Sequence, residues 1–161
     1  VAVAGAFVAL WNSGRGTDPD EVAAYLRSES AGAASTATEV ITTLMNYDSA
    51  SVEDRQDDLL PLATGEFREQ YETLLEQGLG DVLRRTSAAS TGEIVAGPDI
   101  GFITATRATA IVRVLQEVTS DEVPEGRQIF YVMQLELVDD GDGWLADELT
   151  ILSQQSLEDD P

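Results

Sequence analysis

FITATRATAIVRVLQEV (residues 102–118), QIFYVMQLELV (128–138) and WLADELTIL (144–152) are three runs rich in Val, Ile, Thr and aromatics, and their reading decides the fold. With TGEIVA (91–96) before them they read as four strands. Ala108, Ala110, Val112 and Val114 alternate onto one face of the second. Ile129, Tyr131, Met133, Leu135 and Leu137 do the same on the third, with Gln128, Gln134 and Glu136 opposite. The connections SDEVPEGR (120–127) and DDGDG (139–143) have turn chemistry, so consecutive strands are expected to pair antiparallel.

Upstream of residue 86 the period changes from two to that of a helix. Asp18 is placed to cap, Pro19 fits the first helical position and Glu21 the third, which starts a helix running to about Met45. Val22, Leu26, Ala33, Ala37, Val40, Ile41 and Leu44 form its apolar stripe. Its middle, AGAASTA (31–37), is small enough for a sheet or a partner helix to approach closely. Ala31 and Ala34 lie off the stripe and are the candidate partner-facing residues. Ser51 is expected to cap a short helix that Pro61 ends, with Asp54 three positions on. Thr64 starts a third helix, on which Phe67, Tyr71, Leu74, Leu75, Gly78 and Val82 share a face. Helices followed by antiparallel strands give an α+β class, a long first helix and two further helices packed on a curved sheet of about four strands.

The composition bounds the chemistry. The 161 residues carry 30 acids and nine bases, every base an Arg, for a net charge of −21. Such a surface repels a phosphate backbone, so no nucleic-acid partner is expected. There is no Cys and no His, which removes disulfides, thiolate nucleophiles, Cys/His zinc sites and His-based triads. No glycine-rich phosphate loop occurs, and no metal or cofactor is expected.

The run VAVAGAFVALW (1–11) is apolar and uncharged, then polar residues follow. About 20 apolar residues span a bilayer, so residues 1–12 are expected to be the outer end of a membrane helix with Trp11 at the interface. The tail of a signal peptide and an N-terminal core element are the alternatives. Residues 13–19 then form a linker, 20–153 the α+β domain and 154–161 an acidic tail. The domain is expected outside the cytoplasm on a single membrane pass.

Three segments together resemble actinobacterial Mce-associated membrane proteins. LMNYDSASVEDRQDDLLPLATGEFREQYETLL (44–75) matches through Tyr47–Asp48, Thr64–Gly65–Glu66–Phe67 and Tyr71. GEIVAGPDIGFITATRATAIVRVLQEVTS (92–120) resembles that family's first two strands. DGDGWLADEL (140–149) resembles its closing hairpin through Gly143, Trp144, Leu145 and Asp147. The chain departs in its acidity and in lacking a basic residue between Gly143 and Trp144. The resemblance covers about residues 20–153. It implies a SnoaL-like cone and a non-catalytic accessory role in an Mce-type importer of fatty acids or sterols, with the transporter subunits as protein partners. Alternatives are a lipid-binding module using the cone cavity, a ketosteroid-isomerase-like enzyme and a secretion-system assembly subunit.

Relatives of that cone use an Asp base with a Tyr or acid donor in an apolar cavity. Asp147, in strand phase with Leu145, Leu149 and Ile151, and Tyr131 are the available pair, with Met133 as a further cavity-lining residue. Catalysis is not expected from them, because such an Asp more often bonds to backbone or solvent and no His is available. Asp139, Asp140, Asp142 and Glu148 offer hard oxygens for calcium, but Trp144 stands where the third acidic ligand from Asp140 belongs, and Asp-Gly pairs suit a tight hairpin.

Overall fold

Pro19 opens the first helix, α1 (Pro19–Met45), as its fixed backbone angle favours. A computed structural model describes residues 19–157; the membrane-helix end expected at 1–12, the capping Asp18 with most of the linker, and the end of the acidic tail at 158–161 lie outside the described residues. After α1 come β1 (Tyr47–Asp48), α2 (Val52–Leu59), a single tight turn (Leu60–Leu62), α3 (Gly65–Glu76) and α4 (Leu79–Arg85). Four long strands complete the chain: β2 (Ala89–Ile103), β3 (Arg107–Ser120), β4 (Val123–Asp139) and β5 (Trp144–Ser156). The sheet is antiparallel throughout, in the order β1-β2-β3-β4-β5, and the helices pack on one face of it.

Core rows cross the sheet in register. Ala108 pairs with Leu137 and Leu137 with Ala146; Ala110 pairs with Leu135 and Leu135 with Leu149. Small side chains on β3 thus alternate with large ones on β4, leaving room for Ala33, Ala37, Val40 and Ile41 of α1, all fully buried. Burying each large aliphatic side chain there contributes about 1.5–3 kcal/mol. The stripe of α1 is narrower than its periodicity suggests. Its buried residues begin at Ala33, and Val22 and Leu26 are only half-buried.

The last turn of α1 is tied to the sheet by polar side chains. Ser90 Oγ donates to the carbonyl of Met45 at 2.6 Å, and Gln116 Nε2 donates to Ser90 Oγ at 2.6 Å. Asn46 Nδ2 donates to the carbonyls of Thr42 and Gly92, while its Oδ1 accepts the Gly92 N–H. Carbonyls orphaned at a helix end are thereby satisfied without water.

Several boundaries differ from the sequence reading. The third helix is two, because Gly78 takes a left-handed conformation (φ +86°) that breaks it between Glu76 and Leu79. Leu74 and Val82, read as part of its buried face, are 48% and 43% exposed. The first strand does not end at Ala96. It continues through three register shifts to Ile103, and the turn falls at Thr104–Thr106, inside the run read as one strand from Phe102. Ser51 occupies the cap position of α2 but makes no side-chain cap. Instead Asp48 Oδ1 accepts the N–H groups of Ala50 and Ser51, each at 2.8 Å. β5 runs to Ser156, past the boundary drawn at 153.

Candidate functional site

Met133 is fully buried in the core between sheet and α1, so it is packing. Tyr131 is half-buried on the same strand face, pairs with Gln154 and packs at the margin of the core. Burial raises its hydroxyl's pKa. Asp147 is where the sequence reading fails in phase. Glu136 pairs with Glu148 but Leu137 with Ala146, so Asp147 is the extra residue of a β-bulge. Trp144 and Ala146 are buried instead, and Ile151 is exposed.

The Asp147 carboxyl lies over Gly65 at the start of α3. Gly65 is left-handed (φ +52°), and a Cβ there would overlap the carboxyl. The neighbouring main chain is joined as well: the Thr64 N–H donates to the Ala146 carbonyl at 2.8 Å. A carboxylate beside a helix N-terminus is favoured by the helix dipole. The Thr64–Ala146 bond joins β5 to the start of α3, with the Asp147 carboxyl packed over Gly65. The position of Asp147 beside Leu137 is five to six residues along β4 from Tyr131, roughly 17–20 Å at the rise of a strand. The two groups suggested as an acid–donor pair therefore do not share a cavity.

The acidic hairpin folds on itself. Asp139 Oδ1 accepts the Gly141 N–H at 2.8 Å and Asp140 Oδ1 the Asp142 N–H at 3.0 Å. Among the described residues, no three His, Cys, Asp or Glu side chains converge as a metal site. Ala31 is exposed and Ala34 half-buried, while Gly32 between Ala31 and Ala33 meets Trp144. A pocket of about 210 Å³ opens among Leu44, Tyr47, Arg55, Tyr71, Leu79 and Leu83. That is below the range of drug-sized ligand sites. Burial raises the pKa of both Tyr47 and Tyr71.

The chain thus offers surfaces and a packed core, with no assembled reactive centre among the groups named. Comparison with known proteins agrees in architecture. An IcmL-like type IV secretion system protein from Legionella pneumophila superposes with a TM-score of 0.56 at 14% identity, over 89% of this chain and 96% of that one. The periplasmic domain of DotI superposes with a TM-score of 0.57 at 16% identity, over 73% of this chain and 90% of that one. At such identities the likeness is one of fold. No protein-family model and no curated protein matches the chain.

The sequence reading passed over the far edge of the sheet. From Thr150 to Leu157 every residue is exposed, including Ile151 and Leu152 at about half their surface. The available signal was the absence of any charge in TILSQQSL within so acidic a chain.

Proposed function

We propose that this domain is a non-catalytic assembly subunit of an envelope-spanning complex of the secretion-system kind, standing outside the cytoplasm and tethered by the apolar run before Asn12. The supporting observation is the common fold, which extends over most of this chain and of two proteins named for type IV secretion or for a periplasmic location. The separation of Asp147 from Tyr131 and the filling of the concave face by α1 favour contact over chemistry.

The motif resemblance supports a second reading, an accessory subunit of an Mce-type lipid importer. Its residues have structural tasks here: Asp48 closes a turn, Phe67 and Tyr71 are buried, and Trp144 covers Gly32. They therefore support a shared fold more directly than lipid traffic.

One experiment separates the readings. The tagged full chain, solubilised from its own envelope in mild detergent, is expected to migrate on native gels in a complex far larger than 17.3 kDa. Deleting the gene should abolish protein export and leave fatty-acid uptake intact. Lost uptake with intact export would replace the secretion reading by the lipid-import one. Migration as a free monomer would overturn both.

A further inference from the structure

The two edges of the sheet are built differently. Beyond the pair that β1 makes with Ala89 and Ser90, the outer edge of β2 carries Glu93, Pro98 and Asp99 and three register shifts. Charges, proline and bulges are the devices by which proteins keep an edge from accepting another strand. Among the described residues, another element covers the β5 edge only at its start, where Ala63 bridges to Ala146 and Thr64 bonds the same residue. From Thr150 onward, among the described residues, β4 is the only strand beside it. The bulge at Leu152, between the pairs Met133–Ile151 and Val132–Ser153, bends this edge but adds no charge.

We infer that the open edge of β5, Thr150–Leu157, is a docking edge for an extended segment of a partner protein, uncharged at its centre and carrying Lys or Arg at its ends. The inference rests on the assembly-subunit reading for the existence of a partner, and it names that partner's surface and chemistry. Main-chain groups along an open edge supply affinity in such strand addition, and side chains supply selection. Ile151 and Leu152, 50% and 51% exposed, provide the apolar contacts.

Charge selects the occupant. The uncharged window is bounded by Glu148 on one side and by Glu158, Asp159 and Asp160 on the other. A second copy brought to this edge would set one uncharged window against another. In parallel register Glu148 would meet its own counterpart. Like charges directly opposite destabilise a strand pair, and each copy brings a net −21. Lys or Arg on the partner strand relieves this repulsion, both at Glu148 and against the net charge of the chain.

The test uses the isotope-labelled full chain and two synthetic peptides, KKTVTITVKK and its counterpart EETVTITVEE. The lysine peptide should shift amide signals within Thr150–Leu157 and give backbone-to-backbone contacts of a strand pair. The glutamate peptide should bind at least tenfold more weakly. Leu152→Glu should also weaken binding at least tenfold with an unchanged melting curve. If that variant melts early, Gln154→Glu, at another exposed position of the edge, gives the same readout. Equal binding of both peptides, or shifts spread over the acidic surface, would overturn the inference. So would a concentration-dependent dimer abolished by Leu152→Glu, which would make a second copy the occupant. Each of these failures leaves the complex-migration experiment above unaffected, so the two readings fail separately.

Discussion

The indole of Trp144 lies across Gly32: a Cβ on residue 32 would stand 3.1 Å from its Cδ1 and 3.2 Å from its Nε1. One turn further on, Thr36 Oγ1 donates to the Trp144 carbonyl at 3.4 Å. The small-residue stretch of α1 is thus occupied by the chain's own sheet. Gly32 admits the ring, and Ala33 and Ala37 admit the rows beneath it.

Gly32→Val is expected to destabilise the domain by about 1–3 kcal/mol, since a branched side chain forces the nearly buried ring aside. Gly32→Ala should fall within about 1 kcal/mol of wild type. The helix propensity gained, about 1 kcal/mol, opposes the few tenths of an ångström by which the ring must give. Urea unfolding measures both. Tryptophan emission in a Trp11→Phe background should shift only if the Trp144 ring has moved.

Ala33→Leu is expected to cost about 1–3 kcal/mol, because residue 33 is fully buried against the sheet. Ala34→Leu, at a half-buried position off the stripe, should stay within about 0.5 kcal/mol. Similar losses for both in thermal unfolding would mean that α1 is rotated from the orientation described.

The parts of this fold legible in the sequence are those set by periodicity. Alternation placed Ala108, Ala110, Val112 and Val114 inward, and all four are buried. The helical stripe named Ala33, Ala37, Val40 and Ile41, buried likewise. Periodicity cannot register a break in itself. The bulge at Asp147 reverses which residues of β5 face inward, and the left-handed Gly78 ends a helix whose apolar spacing continues to Val82. The two-residue β1 is too short for any alternation to reveal. Asp147 was legible as a candidate by residue type, while its neighbour Gly65, 82 positions away, is a tertiary fact.

Gly65→Ala is expected to destabilise by at least about 1–2 kcal/mol, the cost of a left-handed conformation for a residue with a Cβ. Overlap with the Asp147 carboxyl adds to it. Asp147→Ala removes that overlap, so the double variant should be less destabilised than the sum of the two singles. Strict additivity in a double-mutant cycle would show that the carboxyl does not stand where a Cβ on residue 65 would go.

Asp48 makes the fold's response to acid testable at one residue. Its carboxylate accepts N–H groups from Ser51 and Ala50, and these bonds hold its pKa below the ordinary aspartate value. A group whose pKa is lower folded than unfolded binds more protons in the unfolded chain, so its contribution grows with pH. That contribution is complete above the ordinary aspartate pKa and fades as pH falls through the lowered one. Asp48→Asn keeps an acceptor oxygen but not the charge. It should be less stable than wild type at neutral pH, with the gap closing below about pH 4. The two proteins differ at this one side chain, so the difference between their melting points reports on this site. A gap that stays constant from pH 7 to pH 3 would mean that the ionised carboxylate contributes nothing beyond its hydrogen-bond geometry.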